Sequence, residues 1–410
     1  MRERDVVVSG ASIAGLSAAF WLRRLGWQVT VIERAPAFRD GGQNVDVRGV
    51  AREVLDRMGL FDEVKRQNTT ETGTVVVDAS GKVTAELPSD GPDGPDGATA
   101  ELEVLRGDFA RTIHDHLPPG VAFVYGDTIE TATDGPESLH IVTSQGRELR
   151  CDLLVIAEGV RSATRARVFA ADEVTQDDLD VTMVFGTIPR TAGDDDRWRW
   201  HNTTRGRQIH LRPDNHGTTR AILAYSPGDD LARRGRGDDL AGRGRGDALA
   251  RVRDRYADAG WEAPRVLDAF DASDDVYIDQ LTQIRMTTWH RGRTVLAGDA
   301  GWCVTPMGGG GASLALTSGY VLAAQLAAHP DDTEAALTAY EAWMRPLVDD
   351  VQGLPRGLKH FAYPQTRTGL ALRHLAGKVL TSPPLKPLAA KLTQVAETKQ
   401  TLPEIPQGAA

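Results

Sequence analysis

Asp5-Val6-Val7-Val8-Ser9-Gly10-Ala11-Ser12-Ile13-Ala14-Gly15, answered by Glu33 after Gln28-Val29-Thr30-Val31-Ile32, is the stretch on which the fold turns. Asp5 to Ser9 reads as a short buried strand, Gly10 to Gly15 as a tight turn, and Ala14 to Leu25 as a helix. Leu16, Ala19, Phe20 and Trp21 give that helix a largely buried face, Gly26 stops it, and Gln28 to Ile32 forms a second strand. A strand-turn-helix-strand unit is a parallel pair with a right-handed crossover. The turn fits G-x-G-x-x-G with Ser12 in the middle glycine position. Gly10 allows the tight bend, the small Ser12 lets a pyrophosphate approach the backbone, and Gly15 lets helix and strand pack closely. Ile13 and Ala14 open the helix, whose N-terminus sets about half a positive charge against phosphates. Glu33, followed by Arg34, ends the second strand where a carboxylate can accept both ribose hydroxyls. The unit is read as a dinucleotide site.

The rest of the chain is consistent with a large soluble protein. At 410 residues it exceeds one ordinary core, so two domains are expected. Acidic residues outnumber basic ones by 57 to 47, which disfavours nucleic acid as a partner. Cys151 and Cys303 lie far apart without ligand companions, so neither zinc nor a disulfide framework is expected, and a cytoplasmic location fits. The start shows no apolar stretch of signal-peptide length. Asp299 to Asp331 encloses no charged residue, but Gly308 to Gly311 and several polar residues mark it as a buried loop and helix rather than a membrane span.

Cys151 to Ala157 and Thr294 to Ala297 read as further buried strands. Pro88 to Gly97 is a turn or loop, rich in Asp, Gly and Pro. Thr182 to Ile188, Arg207 to Leu211, Thr219 to Tyr225 and Val276 to Gln280 look like strands of a separate sheet. Within it, Arg233 to Ala241 is nearly repeated by Gly242 to Ala250, an expanded surface loop feeding a helix near Leu249 to Ala257. Val351 to Ala396 holds seven Lys or Arg and no acidic residue, and reads as a closing helix or two that dock on the acidic body, broken at Pro383-Pro384.

A second constellation is Gly292 to Ala300, a strand running into Gly298-Asp299, followed by Pro306 and the glycines that precede a helix near Ala312. An Asp at a strand end can hold a ribitol or ribose hydroxyl. A glycine run entering a helix offers backbone N–H groups to an anionic ring edge, and four glycines carry an entropic cost that a plain turn does not need.

With these motifs in this order the chain resembles the class A flavoprotein monooxygenases, the group that includes para-hydroxybenzoate hydroxylase. It is most similar to their tetracycline-inactivating and polyketide-tailoring branch. Besides the glycine turn with Glu33, the resemblance rests on Asp152 to Arg165, similar to the family's A-D-G-x-x-S-x-x-R element, and on Gly298-Asp299 with Pro306 and the glycine run. It runs from about residue 4 to 350.

The resemblance implies an α/β fold: a Rossmann-like FAD-binding domain with a parallel sheet, a second β-sheet substrate domain and a C-terminal helical segment. Residues 1–75, 100–180 and 285–350 are assigned to the first, 76–99 and 181–284 to the second, and 351–410 to the last. It implies FAD as cofactor, NAD(P)H as transient reductant, and O2 and a small aromatic or polycyclic molecule as substrates, hydroxylated through a flavin C4a-hydroperoxide. A monomer or weak homo-oligomer is expected. By resemblance Arg39, Asp46 and Arg48 flank the flavin, Arg106 contacts it, and Glu158 and Gly159 serve FAD and the reductant. Asp299, Pro306, Gly309, Gly310, Gly311 and Ala312 complete the cofactor set. Glu158 replaces the family's usual Asp, Trp302 stands near a usual His, and Ser313 near a usual Asn. Phe185, Trp198, Trp200, His201, His210 and Tyr225 are candidates for lining a substrate pocket. A flavin reductase without oxygen transfer, and a non-catalytic FAD or ligand binder, are the alternatives.

Overall fold

The strand Asp5–Ser9 pairs in parallel with Gln28–Glu33, Val6 beside Val29 and Ser9 beside Ile32, and the helix Ile13–Arg24 connects them. These positions come from a computed structural model that describes residues 3–39, 41–69, 71–87, 102–226, 245–353, 358–380 and 400–405. Leu153–Ile156 lies on the other side of Asp5–Ser9, then Thr294–Leu296, while Val121–Tyr125 extends the sheet beyond Gln28–Glu33. All these pairs are parallel, and only the two-residue edge His290–Arg291 runs antiparallel. Val6, Val7 and Val8, Val29, Val31 and Ile32, and the whole of Leu153–Ile156 are buried, because helices cover both faces.

One of those helices is Gly311–Ala328, which crosses Ile13–Arg24 at short range. A Cβ on Gly319 would sit 2.4 Å from the Ala18 nitrogen, so glycine sets this approach. Ser17 Oγ donates to the Leu316 carbonyl across the contact at 2.6 Å. Gly311–Ala328 is the one helix among the described residues long and apolar enough to cross a membrane, and 72% of it is buried inside the protein. Its apolarity is accounted for by the core around it.

A seven-stranded sheet forms the second layer, in the order Tyr277–Met286, Val174–Pro189, Thr218–Tyr225, Arg207–Pro213, Trp198–Thr203, Thr74–Val77, Val83–Leu87. Its strands alternate between two buried faces. Val184, Ile188, Ile209, Leu211, Leu223 and Tyr225 pack against the helices Arg245–Tyr256 and Ala263–Ala272. The residues between them, Phe185, Ile222 and Ala224, join Tyr363 and Met307 on the opposite face. Arg212 and Arg220 lie on that second face too, and reach Glu103 and the Gly42 carbonyl.

Several boundaries differ from the sequence reading. Cys151 ends an antiparallel strand, Glu148–Cys151, and the parallel strand starts only at Leu153. Val174–Pro189 and Tyr277–Met286 are much longer than expected, because they pair with each other from Val174 beside Met286 to Phe185 beside Tyr277. The strands Trp198–Thr203, Thr74–Val77 and Val83–Leu87 were not anticipated. The Pro88–Gly97 loop, most of the 233–250 near-repeat and Pro383-Pro384 lie outside the described residues. The closing segment does contain two helices, Leu358–Ala362 and Arg367–Leu380. Residues 400–405 return to the first domain: Leu402 is buried, Glu404 meets Arg57 at 2.9 Å, and Tyr320 donates to the Pro403 carbonyl.

Candidate active site

The carboxyl edge of the parallel sheet gathers the motifs. Gly10 has φ +108°, and a Cβ there would lie 2.3 Å from the Ala157 carbonyl oxygen, while one on Gly15 would lie 1.9 Å from the Gly10 oxygen. The turn is therefore pressed between its own helix and the neighbouring strand. Ser12 stands at the helix N-cap but does not cap it. Its Oγ instead accepts from Arg106 Nη2 at 2.8 Å. No acidic residue occupies the first turn of Ile13–Arg24 or of Gly311–Ala328, and neither helix has a side-chain cap. By contrast Asp332 caps Thr333–Gln352 and Ser162 caps Ala163–Val168. Two long helices thus begin in backbone N–H groups that no side chain among the described residues satisfies, which favours an anion in front of them.

Glu33 accepts from the Ala11 nitrogen at 2.9 Å and from the Ala35 nitrogen at 2.8 Å, one bond on each oxygen. A carboxylate has about four lone-pair sites, so both oxygens can still accept ribose hydroxyls. Replacing Glu33 with Ala removes charge-assisted bonds worth about 1.5–3 kcal/mol, so FAD affinity should fall about tenfold to a hundredfold. Titration of the deflavinated protein with FAD measures this, and an unchanged dissociation constant excludes a ribose role. Arg34 and Arg39 are exposed and make no hydrogen bond or ion pair among the described residues.

The segment 41–48 is fastened on three sides. The Arg106 nitrogen donates to the Gln43 carbonyl at 2.9 Å and Arg220 to the Gly42 carbonyl at 3.3 Å. Ser313 Oγ accepts from the Arg48 nitrogen and donates to the Asp46 carbonyl. Ser313, a departure from the family pattern, thus ties the start of its helix to this segment. Buried Arg48 pairs with Asp46 at 3.0 Å.

Glu158, expected to serve FAD and the reductant, is held by donors of the protein itself. Its oxygens accept from Ser9 Oγ, Ser162 Oγ, the Thr164 nitrogen and Thr164 Oγ1. Those four bonds fill the carboxylate. The extra methylene lets it reach across to the first strand, and it acts as a positioning residue for the loop that begins at Gly159, which has φ +81°. Arg165, buried, continues the link by donating to the Ala300 carbonyl at 2.9 Å. The second motif therefore braces the third.

Gly298 (φ +61°, ψ −148°) and Gly309 (φ +68°, ψ 178°) occupy backbone regions open essentially to glycine alone. A Cβ on Gly298 would also meet Ala14 at 2.8 Å. Between them Asp299 is ringed by protein atoms yet open to solvent, as on the floor of a cleft; burial raises its carboxyl above the usual range, and Arg106 opposes this. Pro306 is the second residue of the short turn Thr305–Gly308, and Gly310 (φ +67°) precedes the long helix that Gly311 and Ala312 begin. Trp302 is buried against Trp289 with ring centres 4.3 Å apart, and so points away from the cleft into packing.

Opposite this edge stands the second face of the seven-stranded sheet. Trp200 pairs with His210 across strands, which puts both on that face with Trp198. His201 and Tyr225, two of the candidate lining residues, lie on the other face: His201 bonds the Val77 carbonyl, and Tyr225 packs with Tyr256. Alternation within one strand separates them from Trp200 and Ala224. Phe185 stacks on Tyr277, which is 41% exposed, its phenol raised by burial in the cleft and opposed by Arg106.

Sequence reasoning missed a buried ionic cluster on this face. Arg212 pairs with Glu71 at 2.9 Å and with Glu103, and its guanidinium lies 3.7 Å from the Trp198 ring centre. Burial pushes Glu71 up to about 8, against the pull of Arg212. The signal was present in the alternation Gln208-Ile209-His210-Leu211-Arg212, whose polar half reads as solvent-facing but here faces the cleft.

The architecture and the motifs define a flavoprotein. Residues 3–352 match the family model described as an FAD binding domain. An uncharacterised protein of Mycobacterium tuberculosis is 34% identical over 353 residues, covering 86% of this chain and 92% of that one. A flavin-dependent monooxygenase of Legionella longbeachae is 30% identical, covering 84% and 86%. The crystal structure of the tetracycline destructase Tet(55) superposes with a TM-score of 0.78 at 25% identity, covering 98% and 99%. The chain belongs to the FAD-binding-domain family of class A flavoprotein monooxygenases, and FAD is its cofactor. The glycine-only cradle and the two uncapped helix N-termini fit that cofactor.

Proposed function

We propose that the chain hydroxylates a small aromatic or polycyclic substrate held between the two sheets, using NAD(P)H and O2. The observation that carries this reading is the apposition of an FAD cradle, ending at Asp299 and Gly309 to Ala312, to a buried sheet face rich in aromatic and polar side chains. Residues 1–75, 100–180 and 285–350 would hold the cofactor. Residues 76–99 and 181–284, which carry most of the second sheet, would hold the substrate, and 351–410 would form a C-terminal helix and tail.

Ser12, Ile13 and Ala14 would receive the pyrophosphate, Glu33 the adenosine ribose, and Asp299 the ribityl chain, while Arg106 would contact the flavin. Asp46, Arg48 and the backbone of the 41–48 segment would lie along the flavin ring. Bound FAD supplies the electron transfer and oxygen activation; the protein positions it and excludes water. In the net reaction NAD(P)H gives two electrons, one oxygen atom enters a new C–O bond, and the other leaves as water.

The test uses FAD-loaded protein with NADH or NADPH, a panel of aromatic and polycyclic compounds, and labelled O2. Mass spectrometry should find one labelled oxygen per product molecule. NAD(P)H oxidation without label in any product, across the panel, supports a reductase and overturns the oxygen-transfer step. Substitutions at Phe185, Trp200 or His210 should change substrate affinity while FAD content stays near normal; loss of FAD from all three would refute the division of labour.

A further inference from the structure

Five polar atoms on the cleft face of the second sheet are buried without a hydrogen-bond partner: Nε1 of Trp198 and of Trp200, both side-chain atoms of Asn202, and Nδ1 of His210. A sixth, Nε of Arg373, comes from the closing helix Arg367–Leu380. Interiors pair the large majority of such atoms, and each one left unpaired is destabilising. Their concentration between this sheet face and the closing helix marks a surface built to receive a polar guest.

Arg373 differs from the other arginines near this space. Arg212 has Glu71 and Glu103, Arg220 has Asp214, and Arg48 has Asp46. Arg373 has no ion pair or hydrogen bond among the described residues, only the Phe361 ring 6.0 Å away. Burial pulls its guanidinium down to about 10, Tyr363 opposing, so it stays charged near neutral pH.

His210 holds a fixed tautomer. Gln208 Nε2 donates to the Ala362 carbonyl at 2.7 Å, which leaves its Oε1 to face His210 Nε2 at 2.9 Å. Nε2 therefore carries the proton, and Nδ1 presents a lone pair. Burial, with Arg212 and Arg373 nearby, pulls this imidazole down to about 3, so it is a neutral acceptor. The unpaired set thus comprises one cation, two indole N–H donors, one amide and one acceptor, among flat aromatic rings.

Resting on the reading of this space as the substrate site, we propose that Arg373 is a specificity-determining residue. It binds an anionic oxygen, a carboxylate or an ionised phenol or enol, on a flat polycyclic substrate. Trp198 and Trp200 then donate to the substrate's carbonyl oxygens, and His210 Nδ1 accepts from a hydroxyl.

The experiment follows flavin absorbance as FAD-loaded protein is titrated at pH 8 with anthraquinone-2-carboxylate, its neutral carboxamide, and alizarin, whose ionised hydroxyl tests the phenolate source. The wild type should bind the carboxylate or alizarin about tenfold to a hundredfold tighter than the carboxamide. Arg373→Met should abolish that preference and Arg373→Lys restore part of it, with FAD content and melting temperature unchanged. A preference that survives in Arg373→Met, or a wild type that binds neither anionic probe more tightly than the carboxamide, overturns the proposal. FAD content and oxygen transfer are read separately. A protein that transfers oxygen without charge preference sinks this inference alone, whereas one that oxidises NAD(P)H without oxygen transfer sinks the proposed function beneath it.

Discussion

A Gly15→Ala protein should purify without the yellow colour of flavin and bind added FAD at least about a hundredfold more weakly than the wild type. The added methyl would lie 1.9 Å from the Gly10 carbonyl oxygen, well inside any tolerable contact, and 3.3 Å from Val8 Cγ1. The blocking atom is backbone, so no side chain can swing aside. Either the helix Ile13–Arg24 moves away from the strand, or the Gly10 peptide rotates, and each displaces the N–H groups that would face the phosphates. Two charge-assisted contacts at about 1.5–3 kcal/mol apiece already account for more than a hundredfold. Gly26 is the control: it has φ +83° but nothing within 4 Å of its missing Cβ. Gly26→Ala should lose only the left-handed backbone strain, about 1–2 kcal/mol of stability, and keep its FAD. The measurements are FAD titration by flavin fluorescence and thermal unfolding for each protein. Gly15→Ala binding FAD within about twofold of the wild type would mean that the turn does not hold the pyrophosphate.

The contrast between these glycines shows what the sequence could and could not disclose. Gly10, Gly15 and Glu33 were legible because the dinucleotide turn is local. Strand, turn, helix and acceptor follow within one βαβ unit, and their spacing is fixed by backbone geometry. Asp299 was legible for the same reason, as the end of a short apolar strand. Glu158 was placed in the chain, but its bond to Ser9 on another strand was not legible. Nothing local reveals a contact across 149 residues of chain. The substrate face was harder still. Alternation in Arg207–Pro213 ordinarily separates core from solvent, and here the whole strand is buried. The polar half is enclosed because Glu71, Glu103 and the helix Leu358–Ala362 meet it, and all are remote in sequence. Arg373 carried no signal of its own: one basic residue among the seven from Val351 to Ala396 looks like any other until its surroundings are known.

Gly310→Val should lower the flavin reduction potential by about 30–60 mV and slow anaerobic reduction by NAD(P)H, in protein that still retains FAD. Gly310 sits at φ +67°, ψ +1°, as N-cap of the helix Gly311–Ala328, and follows Gly309 at φ +68°, ψ 178°. Together they would aim the first N–H groups of an uncapped helix toward the cleft that Asp299 floors. A β-branched residue cannot hold the left-handed conformation without strain of about 1–3 kcal/mol, so the loop must reshape and the N–H groups must turn. Reduced flavin carries negative charge on its pyrimidine edge that oxidised flavin lacks, so donors placed there favour the reduced form. For a two-electron couple a tenfold change in that preference is about 30 mV. One or two lost donors therefore give the stated range. Asp299→Ala acts on the other part of the cofactor and should mainly weaken FAD binding, by about tenfold, while moving the potential by less than about 15 mV, half the shift for one lost donor. The two variants thus separate binding from redox tuning in neighbouring residues. Potentials are measured by equilibration with reference dyes, and reduction by stopped flow without oxygen. A Gly310→Val protein that keeps the wild-type potential and reduction rate would show that this loop does not face the flavin ring.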